Sequence, residues 1–262
     1  MQKIIDLTLE ITNKMLVQDA FQSNIYVTMV SHEESKAFKT GTEDDPFTST
    51  WNYLGMVEHT GTHVDAFFHM TPDGLSIDQM PLDLFFGKAV CLDMRHIPAR
   101  GSITIQDLEQ AEQEAGVTID GHIVLLATGV HDKYFPSKDI LFMNPDISPE
   151  AVAWLASHRS RMHGVEGPST DIMDTQLFPS HRACRDLGLS HYEWLVNLNQ
   201  LIGKGEFQFY GIPLRLKNGS GSPVRAFAVI EEGQEVYAWQ TTHLILPAGI
   251  SMEACPDPSF QS

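Results

Sequence analysis

Cationic residues are scarce in this chain. Of 262 residues only 17 are lysine or arginine, against 34 aspartate or glutamate, a formal net charge of −17. Polynucleotide affinity rests on cationic contacts to phosphate and on counterion release, so this balance argues against a nucleic-acid partner, and an anionic membrane would repel the chain. Cysteine is equally sparse. Cys91, Cys184 and Cys255 are odd in number and far apart, which argues against a disulfide framework and a cysteine-rich zinc site and reads as three reduced structural thiols. No apolar run approaches the roughly 20 residues that span a bilayer, and the opening MQKIIDLTLEI has no basic start and no small-residue cleavage site, so a soluble cytoplasmic protein is expected. Three catalytic signatures are also missing: a G-x-S-x-G elbow, a glycine-rich phosphate loop and an H-E-x-x-H helix. With 42 % hydrophobic residues, 1–262 is expected to form a single domain around one good core.

What the chain does have is a dense run of donors. Residues 59–69 read HTGTHVDAFFH, bringing His59, His63, Asp65 and His69 into one short stretch, the nitrogen and oxygen set that a catalytic metal requires. Other histidines, such as His32 and His243, read as ordinary capping or core residues. In an extended segment His59, His63, Asp65, Phe67 and His69 share a face. A straight strand nevertheless separates His59 from His63 by about 13 Å, too far for ligands of one ion at bonds of about 2.0 to 2.2 Å. The chain must therefore bend, and Gly61, free of a Cβ, is the residue that permits it, with the Thr62 hydroxyl available to tie the turn. The expectation is a strand end or loop folded around a cation. Without a thiolate the coordination is expected to stay open, as in catalytic sites. A bound divalent ion lowers the pKa of its water toward about 7 and polarises a carbonyl, which together give hydrolysis of an amide or lactone.

The pattern H-x-G-T-H-x-D-x-x-x-H resembles that of the cyclase-like metal hydrolases, whose members include bacterial kynurenine formamidase, isatin hydrolase and a metal-dependent dienelactone hydrolase. GHIVLLATGV (121–130), the NPDISPEAVAWL stretch ending at Leu155, GVEGPSTD (164–171) and GSPVRA (221–226) are similar to further landmarks of that family in the same order. The resemblance implies that His59, His63 and Asp65 are metal ligands and that His69 is the catalytic acid/base. It implies a second half of the cage from a histidine followed twelve positions on by a glutamate, here His181 and Glu193, with His191 close enough to compete. If one manganese ion is held partly by an amide oxygen, as in some members, Gln208 is the candidate. Two departures, Phe67 where formamidases carry proline and Glu166 where many relatives carry aspartate, shift the expectation toward isatin hydrolysis, with N-formylkynurenine and dienelactones as alternatives. Mn²⁺ and Zn²⁺ both suit the donors. The implied partners are a small aromatic or cyclic amide and further copies of the chain, in a homodimer or higher homo-oligomer. A metal-sensing role without turnover is the non-enzymatic alternative.

Around the motif, Trp51, Tyr53, Phe67 and Phe68 are candidates for an aromatic substrate pocket. Ser169 either contacts substrate or ties its own turn. Strands are expected in IIDLTLEI near the start and at 88–94, 122–128, 206–214 and 223–230. Helices are expected from Thr104 to Gly116, after Ser148, and around 192–201. The polar stretch 31–50 reads as either a functional loop or a solvated insertion. Strands interspersed with helices give an α/β class, and the resemblance implies a barrel-like mixed β-sheet flanked by helices.

Overall fold

Branched and aromatic runs become strands along the chain, which a computed structural model describes for residues 2–17, 24–42 and 44–231. In chain order the strands are β1 (Gln2–Asp6), β2 (Ile25–Val30), β3 (Trp51–Gly55), β4 (His63–Asp65), β5 (Phe86–Asp93), β6 (Ser102–Ile103), β7 (Ile123–Ala127), β8 (Asp146–Ile147), β9 (Met162–Val165), β10 (Ser190–Glu193), β11 (Phe207–Tyr210), β12 (Gly221–Pro223) and β13 (Phe227–Glu231). Cys255 and His243 lie outside the described residues. One nine-stranded sheet has the order β1-β13-β11-β5-β7-β9-β10-β4-β12, and β2-β3 and β6-β8 make two small ribbons. The strands β5, β7, β9 and β10 run parallel through the middle, with antiparallel pairings on either side.

That order forces the sheet to curl. In it β12 and β13 stand seven strand spacings apart, about 34 Å in a flat sheet at roughly 4.8 Å per strand. Only residues 224–226 join them, and the steps from Pro223 to Phe227 reach at most about 14 Å. The ends are therefore drawn together into a half-barrel, closed by hydrogen bonds from Leu7 N to Ala226 O and from Val224 N to Thr62 O.

Alternation along the central strands divides the core in two. Ala89 and Cys91 of β5 and Ile123, Leu125 and Ala127 of β7 face the inside of the curl, where Tyr192, Phe207 and Phe209 meet them. Val90, Leu92, Val124 and Leu126 face outward onto helices Ile105–Ala115 and Pro149–Ser157, through Leu108, Ala111, Val152 and Leu155. Both helices start as the sequence predicts: Thr104 forms a capping box with Asp107, and the Ser148 side chain accepts from Ala151 N.

Two expectations are corrected and one helix is added. The stretch 192–201 is not a helix: it is the end of β10 followed by one 3₁₀ turn, Leu198–Gln200, because Tyr192 is drawn into the inner core in register with β4 and β9. The run 223–230 is two strands rather than one, split at the curl. A helix at Pro179–Leu187 goes unforeseen, since Phe178 at its start offers no side-chain cap. The stretch 31–50 forms a capped turn at His32–Ser35 and a 3₁₀ turn at Lys36–Phe38, largely exposed at the far end of the β2-β3 ribbon.

Candidate metal centre

On the outward face, the apolar layer gives way to polar side chains at β9, β10 and β4. In β4, Val64 points into the inner core while His63 and Asp65 point out; in β10, Tyr192 points in while His191 and Glu193 point out. Pairing of β10 with β4 sets Glu193 opposite His63. The helix Pro179–Leu187 covers this face and contributes His181. Residues 57–62 do bend, with Gly61 at φ +63°. Thr62, expected to tie that turn, instead bolts it to its neighbours: its hydroxyl accepts from Leu9 N at 2.8 Å and donates to Trp194 O at 2.5 Å.

The outcome is two buried carboxylates ringed by imidazoles. His59 Nδ1 lies 2.8 Å from Asp65 Oδ1, and His63 Nε2 lies 3.4 Å from both Asp65 Oδ1 and Glu193 Oε2. On the opposite oxygens, Asp65 Oδ2 and Glu193 Oε1, His191 Nε2 stands at 3.3 Å from each and His181 Nε2 at 3.7 and 3.8 Å. The structure thus brings together His59, His63, Asp65, His69, His181 and Glu193, and adds His191. His69 is the exposed member at the rim of the ring, on the turn Phe67–Met70, 3.7 Å from Asp65 Oδ2 and with its ring 4.3 Å from that of His59. It lines a cavity of about 260 Å³ with Met70, Phe178, His181, Arg182 and Arg185.

Neighbouring groups fix the rings. His63 Nδ1 donates to Gly61 O, leaving Nε2 for the carboxylates. His181 Nδ1 is held at 2.6 Å by Asp171, which also accepts from the backbone of Ser180 and His181. This carboxylate behind an imidazole is the arrangement that orients metal-ligating histidines. Glu193 accepts from Thr170 N, and Ser190 Oγ donates to Asp65 O. At Gly221 an added Cβ would fall 2.7 Å from His59 Cε1, so only glycine leaves that ring in place.

Electrostatics favour added positive charge. Burial opposes ionisation of the two carboxylates, yet their imidazole contacts outweigh it and hold Asp65 well below the usual range and Glu193 at about 2. Burial likewise opposes charging His63, but Asp65 and Glu193 raise it to about 10. In His181 the same contest, won by Asp171 and Asp65, ends at about 9. His69 goes the other way: burial depresses it, Asp65 opposes, and His59 and His181 add to the depression. The donors fit a divalent cation, because His63 Nε2 and both ring nitrogens of His191 are buried with no hydrogen-bond partner. Donor atoms from Asp65, His181, His191 and Glu193 cluster within 4.8 Å of one another, as do those of His59, Asp65 and His69.

Other candidates fall elsewhere. Gln208 is exposed on β11, four strands from β10, because Phe207 and Phe209 take the inward positions on either side. Trp51 and Tyr53 lie on the β2-β3 ribbon, 47 % and 53 % exposed, and neither lines the cavity at His69. Phe67 packs against the inner core instead of facing the donors, since the chain turns helical after Asp65 and loses strand parity. Phe68 is exposed at 40 %. Ser169 ties its own turn, accepting from Asp171 N at 3.1 Å. Asp171, Thr170 and Gly221 lay inside noted motifs without an assigned role. For His191 the signal was the alternation in SHYE, which puts it on the face of Glu193.

The profile described as "Putative cyclase" matches residues 5–172. The chain belongs to the cyclase family. Curated relatives include kynurenine formamidases of Salinibacter ruber, 30 % identical over 66 % of this chain and 76 % of that protein, and of Geobacillus thermodenitrificans, 30 % identical over 70 % and 87 %. Among solved structures, isatin hydrolase A of Labrenzia aggregata superposes with a TM-score of 0.74 and 25 % identity over 88 % of this chain and 94 % of its own. Isatin hydrolase A of Ralstonia solanacearum gives 0.74 and 25 % over 88 % and 92 %. As in those cyclase-family folds, the curled mixed sheet flanked by helices is an α/β half-barrel, and the protein is a metal-dependent hydrolase of this family. Among the described residues no helix is long and apolar enough to cross a membrane.

Proposed function

We propose that this cyclase-family protein hydrolyses the C–N bond of a small aromatic amide, with isatin, opened to isatinate, as the leading substrate. The observation that carries this reading is the pair Asp65 and Glu193, both buried and flanked by His59, His63, His181 and His191 at 2.8–3.8 Å, with His69 on the open side. His59, His63, Asp65, His181 and Glu193 would hold Mn²⁺ or Zn²⁺. When bound there, such an ion lowers the pKa of water toward about 7 and polarises the substrate carbonyl. His69, at the cavity wall beside Asp65, accepts the proton of the attacking water and returns it to the departing ring nitrogen. One C–O bond forms, the lactam C–N bond breaks, and the product carries a carboxylate and a free aniline. Met70 and Phe178 offer apolar surface to a flat ring.

A second reading is favoured by one observation. Arg182 and Arg185 line the cavity in a chain with few cations, and they suit a substrate bearing its own carboxylate, as an N-formylated amino acid does. The products would then be formate and the amine. The test is a turnover panel on protein reconstituted with Mn²⁺ or Zn²⁺, offered isatin, N-formylkynurenine and an aromatic lactone. Fastest turnover of isatin supports the first reading, and faster turnover of the formamide replaces it with the second. Full metal occupancy with no hydrolysis of any of the three ends both and leaves a metal-sensing protein.

A further inference from the structure

Of the imidazoles around the two carboxylates, His191 is the most deeply set. It has no exposed surface, and neither ring nitrogen has a hydrogen bond of good geometry, although Nε2 is close to two carboxylate oxygens. Such a ring is costly unless something accepts or shares its lone pair. Its Nε2 stands 3.3 Å from Asp65 Oδ2 and 3.3 Å from Glu193 Oε1, favouring neither. His181 Nε2 faces the same two oxygens at 3.7 and 3.8 Å. Four donors bound tetrahedrally at about 2.0 to 2.1 Å lie roughly 3.3 to 3.4 Å from one another, so these spacings need change by no more than about half an ångström to grip one ion.

We infer that His191 is a fourth protein ligand which, with Asp65, Glu193 and His181, closes an inner cation position, so that the exchangeable position belongs to the His59–His63 side. This deepens the metal-centre reading and rests on it. Asp65 and Glu193 each present one oxygen to the inner set and the other to His63, so both carboxylates bridge the two positions. A position with four protein donors retains its ion and gives up no site to water, as structural zinc centres do. On the outer side the His69 ring stands 4.3 Å from that of His59, so the His59–His63 position has the acid/base candidate beside it and only three amino-acid side chains besides Glu193 around it. Among the described residues one competing arrangement exists: His163 and Cys184, both fully buried, bring donor atoms within 4.8 Å of His191 and could draw a soft metal onto a thiolate.

The test loads metal-free protein with Co²⁺ or Zn²⁺ and follows metal content during a timed challenge with a chelator. Wild type is expected to lose one ion per chain quickly and keep the other, with the visible spectrum of tetrahedral cobalt in the retained form. His191→Ala and His191→Gln are expected to release both ions quickly, with inner affinity lowered by about 100-fold or more. Variants that keep the slow ion and its spectrum overturn the inference. A thiolate-to-cobalt charge-transfer band overturns it as well, because the ion then sits on Cys184. Should the variants fold poorly, ¹⁵N-histidine NMR of the wild-type protein decides: the His191 Nε2 resonance must move to a metal-bound position on loading the slow site, and an unmoved resonance refutes the assignment. Amide turnover is measured in parallel. A slow ion dependent on His191 without turnover sinks the proposed activity alone, whereas turnover with an indifferent His191 sinks this inference alone.

Discussion

At the scale of single residues, the centre separates groups that hold charge from one that moves a proton. His69→Ala is expected to keep both metal content and fold while turnover falls about 10² to 10⁴-fold, the usual worth of acid/base help; retained turnover measured beside metal analysis would remove its role. Asp65→Ala, by contrast, takes donors from both halves of the cage, so metal content and rate should vanish together. Asp171→Asn tests orientation: His181 loses the anion at 2.6 Å that fixes its ring, and metal affinity should fall about 10 to 100-fold in a competition titration. Gly221→Ala pushes a methyl to 2.7 Å from the His59 ring, so weaker metal binding is expected with little change in helical circular dichroism. Residues 59–69 made the first half of the centre readable, because that donor density has few other uses. Asp171 was harder: a carboxylate ten residues before its partner histidine carries no spacing signal until the helix Pro179–Leu187 folds back on it.

At the scale of elements, legibility followed local chemistry. Helices with a side-chain cap, at Thr104 and Ser148, and strands buried on both faces, such as IVLLA of β7, announce themselves through caps and branched residues. HVD was read as extended from its donors, whereas the end of SHYE was read into a helix around 192–201, because with polar donors outward Tyr192 is the one apolar residue of its alternation. Phe67 shows the same difficulty: parity holds only while the strand lasts, and β4 ends at Asp65. The loops after β7 and β9 meet at Glu166, which accepts from Thr128 Oγ1 at 3.0 Å and Gly129 N at 2.5 Å. Burial pushes its carboxyl up to about 7 despite these bonds, with Asp132 adding to the rise. Folded, Glu166 keeps its proton up to about pH 7; unfolded, it releases it near the model-compound value of 4.5. The folded state binds more protons between those limits, so this group's contribution is fully present below pH 4.5 and is lost as pH rises through about 7, by on the order of 3 kcal/mol. Glu166→Gln should abolish that decline and be the more stable protein at pH 8 in urea unfolding; an unchanged pH slope would show that burial does not govern this carboxyl.

At the scale of the whole molecule, the curl explains how one sheet offers an apolar inner face and a catalytic outer one. The β2-β3 ribbon leaves Ile25, Val27, Met29, Trp51 and Leu54 about half exposed, and two-stranded ribbons are marginal alone in water. If the homodimer expected from the family forms, this ribbon is the face to test. Trp51→Glu should shift sedimentation toward the monomer, and a wild-type chain that is monomeric at micromolar concentration removes the expectation.

The donors of the centre come from residues 59 to 193, and the glycine that seats His59 comes later still, at 221. A ribosome must therefore release most of this polypeptide before the complete cage can close, so full cation capture is expected to follow assembly instead of guiding it. Bound metal should then act as a late rivet between distant stretches of chain, slowing unfolding far more than it hastens refolding.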